Sequence, residues 1–152
     1  MSPMLLEDPA RIALASRVRV AIGRINRRIR QNPGGDGLTS SQLSALVTVE
    51  GFGPLRVGDL AARERIAAPT MTRIVSGLEQ HGLLDKQPDA KDRRACNVVL
   101  TVRGAKLLER LRRRTTSFLA TQLSQCTAEQ RAALEAALPV LEAIASDDAD
   151  ER

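Results

Sequence analysis

Leu14, Val18, Ile22, Ile25 and Ile29 recur every three or four positions and lay one apolar stripe along a long helix. Asp8-Pro9 is a good start for it. The aspartate accepts orphan amide hydrogens, and proline is pre-set for the first helical position. The stretch NPGGDG at 32–37 ends that helix. Thr39-Ser40-Ser41-Gln42 then offers a capping box, opening a helix with Leu43, Leu46 and Val47 turned inward. GFGP at 51–54 breaks the pattern, Leu55–Val57 fits a short extended segment, and Val57, Leu60 and Ala61 mark a short helix to about Arg65.

IAAP at 66–69 makes a tight turn, and Thr70 to His81 reads as a helix with Met71, Ile74, Val75 and Leu78 apolar. Gly82 stands where a left-handed C-terminal residue is wanted. Leu83 to Gln87 and Asn97 to Thr101 are two short extended runs around the polar tip PDAKDRR, a hairpin. A long helix follows with Leu107, Leu108, Leu111, Phe118, Leu119 and Leu123. The last helix opens on a second capping box, Thr127-Ala128-Glu129-Gln130, and carries Leu134, Leu138, Leu141 and Ala145, with Pro139 expected to kink it. Two short helices joined by a tight turn and followed by a hairpin make a winged helix-turn-helix. The expected fold is mainly α with a small β-hairpin wing. The flanking helices, 8–31 and 102–146, have more apolar surface than the 39–101 core can cover, which points to a dimerisation region built from both termini.

Length changes the picture little: 152 residues with 43% hydrophobic content suit one domain with a real core. Charge changes it more. The balance of 23 Lys+Arg against 18 Asp+Glu gives +5, which favours polyanionic partners. Residues 11–30 hold seven arginines and no acid, and residues 103–114 hold six basic groups against one glutamate. From Glu129 to Arg152 the sign reverses, with seven acids against two arginines. Basic helices beside an acidic tail also describe an ordinary solvated surface. The N-terminus lacks the layout of a signal peptide and no apolar run approaches a membrane span, so a cytoplasmic protein without a membrane partner is expected.

In a helix-turn-helix the second helix enters the major groove with its N-terminal residues at base edges. Here that end reads APTMTRIVSG. Pro69, Thr70, Thr72, Arg73 and Ser76 are the candidate contacts with double-stranded DNA: the hydroxyls suit phosphates or bases, and the Arg73 fork fits guanine. Thr39, Ser40 and Ser41, at a helix start, are candidate backbone contacts. At the hairpin tip Lys91, Asp92, Arg93 and Arg94 form a second contact, since arginines fit a narrow, strongly negative minor groove. Asp92 stands two residues before Arg94 and is placed to brace it.

The run from Val57 to Leu111 resembles the winged-helix core of the multiple-antibiotic-resistance-regulator (MarR) family. The matching pieces are Gly58-Asp59-Leu60-Ala61, Thr70-Met71-Thr72-Arg73, Leu78-Glu79-Gln80-His81-Gly82-Leu83, the wing signature Asp92-Arg93-Arg94, Leu100-Thr101 and Gly104. The resemblance implies an obligate homodimer on a pseudo-palindromic operator, usually a repressor, and a small lipophilic or aromatic effector. It departs at Ala67 and Ala68, where the family often has a serine, so a helix cap and one phosphate contact are in question. Lys86 replaces a frequent arginine.

No cysteine precedes position 96, so a sensor cysteine near the first helix does not carry over. Cys96 shares strand parity with Val98 and Leu100 and is expected to face inward as a small hydrophobe. Cys126 stands before a helix cap. Redox sensing by either is the weaker reading. His81 reads as structural, and no set of residues suggests a metal or other cofactor. Phe52 and Phe118 are the only aromatics, so a ligand pocket would be aliphatic. A sequence-specific regulator leads. Its alternatives are a winged-helix ligand-binding or protein-interaction module without DNA binding, and a cysteine-based redox-responsive regulator. No nucleophile-base pair or phosphate loop suggests an enzyme.

Overall fold

The computed structural model describes residues 8–31, 37–89, 92 and 95–146. They form six helices and three strands: α1 (Pro9–Gln31), α2 (Ser40–Phe52), β1 (Leu55–Arg56), α3 (Val57–Arg63), α4 (Ala68–Gln80), β2 (Leu84–Pro88), β3 (Cys96–Leu100), α5 (Val102–Ser124) and α6 (Ala128–Ala145). The chain divides into two compact units, 1–112 and 113–152, and α5 contributes to both.

In the first unit the core comes from the helices α2, α3, α4 and α5 and the strands β2 and β3, with Leu55 of β1 packed against it. Ala45, Leu46 and Val49 of α2 meet Leu60 and Ala61 of α3, Met71, Val75 and Leu78 of α4, Leu83, Leu84, Val98, and Leu107 and Leu108 of α5. Each fully buried leucine stabilises by about 1.5–3 kcal/mol relative to exposure. Val47, expected inward, is 45% exposed instead. The buried face of α2 runs through Ala45, Leu46 and Val49, the i, i+1, i+4 positions, and Val47 lies roughly 160° from their middle.

The sheet has order β1-β3-β2 and is antiparallel throughout. Leu55 and Arg56 pair with Val98 and Asn97, so the extended segment before α3 becomes the third strand of the wing. β2 is an edge strand, where Pro88 loses no ladder bond that a neighbour needs. α3 ends two residues before the expected Arg65, because Arg65 takes the left-handed φ of +52°. Gly82 has φ +68°, as its place after α4 requires. Thr101 starts α5: its Oγ1 donates toward the Gly82 and Leu83 carbonyls at 2.7 and 3.1 Å and accepts from the Gly104 amide at 3.0 Å. Gly104 is buried where a Cβ would strike the Leu83 carbonyl oxygen and come within 2.7 Å of Leu100 Cδ1.

The helix α1 contains no buried residue, and Leu14, Ile22 and Ile25 of its stripe are 60%, 51% and 47% exposed. In the second unit α6 also buries none. Its capping box closes as the sequence suggests, Gln130 amide to Thr127 Oγ1 at 3.1 Å and Thr127 amide to Gln130 Oε1 at 2.9 Å, and the helix continues through Pro139 to Ala145.

Candidate nucleic-acid interface

The α4 helix divides its residues by face. Met71, Val75 and Leu78 are buried, Ile74 and Ser76 half-buried, and Pro69, Thr70, Thr72 and Arg73 exposed. The apolar face locks the helix to the core while its first turn stands in solvent. Ala67 is the N-cap and makes no side-chain cap, so the missing serine leaves this end open as expected. Thr72 Oγ1 donates to the Ala68 carbonyl at 2.9 Å. Its oxygen therefore remains as an acceptor, suited to a base amino group more than to a phosphate. Arg73 makes no hydrogen bond or ion pair among the described residues, so its five donors are uncommitted.

At the start of α2, Thr39 and Gln42 close their capping box: the Gln42 amide donates to Thr39 Oγ1 at 3.2 Å and the Thr39 amide to Gln42 Oε1 at 2.9 Å. Ser40 Oγ accepts from Arg30 Nη1 at 2.9 Å, which brings a cation from the end of α1 to this helix start. Thr39, Ser40 and Ser41 are all exposed and retain hydroxyl hydrogens to donate. Gln42 and Gly77 mark where α2 and α4 approach: a Cβ on Gly77 would meet Gln42 Nε2 at 3.2 Å.

In the wing the centre of the polar network is Asp89. Its Oδ1 accepts the Asp92 amide at 3.1 Å, and its Oδ2 accepts Asn97 Nδ2 at 3.2 Å and Arg56 Nη2 at 3.4 Å. The backbone closes the same turn, with the Asp89 amide on the Ala95 carbonyl and the Ala95 amide on the Asp92 carbonyl, both at 2.9 Å. The Asp92 carboxylate lies 3.8 Å from Arg56 Nη2. Lys91, Arg93 and Arg94 lie outside the described residues, and with them the expected Asp92–Arg94 brace. Cys96 is exposed, contrary to the parity argument. The packed layer under β3 reaches full burial at Val98, and Cys96 pairs with Pro88 at the far end of the ladder, beyond the last β1 partner. Cys126 is half-buried, with Sγ 3.8 Å from the Gln122 carbonyl oxygen.

A helix-turn-helix with a three-stranded wing can be compared with known proteins. The family model described as "MarR family" matches residues 38–96. An uncharacterized HTH-type transcriptional regulator of Mycobacterium bovis is 33% identical over 143 residues, covering 94% of this chain and 99% of its own. This chain belongs to the MarR family. The HTH-type transcriptional repressor MdtR of Bacillus subtilis is 30% identical over 94 residues, covering 62% of this chain and 61% of its own. A solved Pseudomonas aeruginosa protein aligns with a TM-score of 0.83 at 26% identity, over 91% of this chain and 98% of its own. The protein is thus a DNA-binding transcriptional regulator with a winged helix-turn-helix. Among its described residues no helix is long and apolar enough to cross a membrane.

Two residues that sequence reasoning passed over belong to the wing of this MarR-family regulator. Asp89 had a local signal, since an aspartate after Pro88 is a turn initiator whose carboxylate bonds nearby amides. Arg56 had none: its role depends on β1 pairing with β3, which only the folded chain brings about. Lys86, in place of a frequent arginine, keeps a cation there and pairs with Glu79 at 2.8 Å, tying β2 to α4.

Proposed function

We propose that the protein is a repressor that binds a pseudo-palindromic operator as a homodimer and releases it in response to a small lipophilic or aromatic effector, acting in the cytoplasm. The observation that carries the operator reading is the first turn of α4, exposed and with Arg73 uncommitted, on a helix whose other face is buried. In this reading Arg73 pairs with a guanine, Thr70, Thr72 and Ser76 read or flank the neighbouring bases, and Pro69 shapes the turn. Thr39, Ser40 and Ser41 position the helix on phosphates. Lys91, Arg93 and Arg94 enter the minor groove from a tip whose base Asp89 and Arg56 hold, with Asp92 beside them. The repressor named in Bacillus subtilis supports the direction of control. Exposed Leu14, Ile22 and Ile25 on α1 and Leu134, Leu138 and Ile144 on α6 support the dimer, because such faces need a partner.

The deciding experiment is a gel shift with the duplex upstream of the protein's own gene, run at low and at physiological salt. A shift at low salt that weakens as salt rises supports the reading, with the salt slope falling by about 0.9 for each phosphate charge removed in Arg93→Ala/Arg94→Ala. No shift at low salt favours the module without DNA binding.

A further inference from the structure

A cleft of about 560 Å³ opens in the first unit beside the C-terminal end of α4, at the opposite end of that helix from Arg73. Its floor is apolar, with Leu83 and Leu107 each 4% exposed. Its walls are cationic. Arg103, Lys106 and Arg110 recur at three- and four-residue spacing on one face of α5, and His81 closes the α4 side. The His81 Nδ1 lies 2.7 Å from the Gly77 carbonyl oxygen and donates to it, so the ring nitrogen left for a ligand is Nε2. No carboxylate lines the cleft among the described residues, and Arg103 and Lys106 make no hydrogen bond or ion pair there.

Like charges three and four residues apart oppose helix formation, and an anion seated between them removes the repulsion. An inorganic anion would leave the leucine floor wet, and a neutral lipid would desolvate the cations without a partner. A molecule with an apolar body and a carboxylate answers both, and the planar Arg103 fork matches a carboxylate with two parallel hydrogen bonds. The volume falls within the range of about 300–1,000 Å³ usual for small-molecule sites. Neither phenylalanine of the chain lines the cleft, and the sequence has no tryptophan or tyrosine to stack a ring on.

We propose that this cleft is a binding site for a small aliphatic carboxylate, its chain over Leu83 and Leu107 and its carboxylate on Arg103 and Lys106. The site gives the effector of the proposed repressor a chemistry, and only that regulatory meaning rests on the repressor reading. Binding itself is measured without DNA.

Calorimetric titration of the full-length protein with octanoate tests it, with 1-octanol and inorganic phosphate as probes that share only the body or only the charge. Octanoate should bind at least about tenfold more tightly than either probe. The Arg103→Gln/Lys106→Gln variant, altered at two exposed positions and checked for an unchanged circular-dichroism spectrum, should lose at least about tenfold in octanoate affinity. Octanoate affinity unchanged in that variant, octanol binding as well as octanoate, or no octanoate heat at millimolar concentration would each overturn the site. Binding that leaves operator affinity untouched would keep the site and remove the effector role.

Discussion

The winged core and the helices that flank it carry apolar stripes of similar spacing but dispose of them differently. Every buried hydrophobic residue described lies between Ala45 and Leu108, while α1 and α6 bury none. On α6, Leu134, Leu138, Val140 and Ile144 are 42–72% exposed. A three-to-four spacing says that a helix has an apolar face, and says nothing of whose surface covers it. In the core the covering surface lies within the same chain. On the flanks the apolar side chains are exposed, and a second copy is the occupant proposed above.

The largest expected effect tests that difference directly. Leu46→Ala removes a fully buried side chain and should lower unfolding stability by about 2–5 kcal/mol, at any protein concentration. Leu138→Ala should cost less, and its cost should shrink as the protein is diluted below the dimer's dissociation range. Urea unfolding at several concentrations separates the two. A concentration-independent loss at Leu138 as large as that at Leu46 would break the comparison.

Gly104→Ala comes next. The added methyl would meet the Leu83 carbonyl oxygen and Leu100, backbone and packed side chain that cannot swing aside, so a loss of about 1–3 kcal/mol is expected in the same urea series. Stability equal to that of the unchanged protein would show that α5 is less closely seated on the sheet than its geometry states. Arg73→Ala should leave stability alone and instead relax discrimination at one operator position by about 1–3 kcal/mol, read by competition with single-base operator variants. Uniform weakening across all variants would make Arg73 a phosphate contact.

What was legible beforehand follows from the range of the forces involved. The two capping boxes, the left-handed Gly82 and the uncapped start of α4 depend on residues within four positions of each other, and all stand as read. The buried face of α4 was legible because its apolar positions are unambiguous, whereas α2 has apolar residues on several sides and Val47 was misplaced. Cys96 was misplaced for another reason: alternation gives the side of a strand a residue is on, but not where the packed layer beneath it stops. Arg56 on Asp89 spans 33 residues, a contact that no local pattern encodes. The buried and exposed faces of α4 are therefore readable from local pattern, and the Arg56–Asp89 tie in the wing is not.

The Thr39 and Thr127 caps offer a smaller and more pointed test, because the same motif opens a helix in each region. Replacing either by Ala should cost about 0.5–2 kcal/mol of helix stability. For Thr39 that loss should appear in full as unfolding stability, since α2 is anchored in the core by Leu46 and Val49. For Thr127 it should appear as weaker self-association, measured by sedimentation equilibrium. Thr127→Ala acting only on concentration-independent unfolding would place α6 with the core.

The smallest effect concerns a contact within the first unit, where α5 meets α2. Arg112, the last residue of the first unit, donates from Nη1 to Glu50 Oε1 at 3.0 Å and also from Nη2 to Oε2, joining α5 to the end of α2. The hydrogen bond from Arg112 holds the Glu50 carboxyl below its ordinary value of 4.5; desolvation opposes this, and the charge of Arg112 adds to the lowering. A carboxylate lowered in the folded state contributes stability that is complete above its unfolded value and is lost as pH falls through its folded one. Arg112 is shifted upward by the same pair, and because a guanidinium stays charged at all ordinary pH it adds no further pH dependence. The stability difference between the unchanged protein and Glu50→Gln should therefore be constant at neutral pH, begin to close near pH 4.5 and vanish in stronger acid. Both side chains are partly exposed, so salt should shrink the difference as well. A difference that grows on acidification would mean that Glu50 is held by something other than Arg112, and would leave the middle of α5 without that tie to α2.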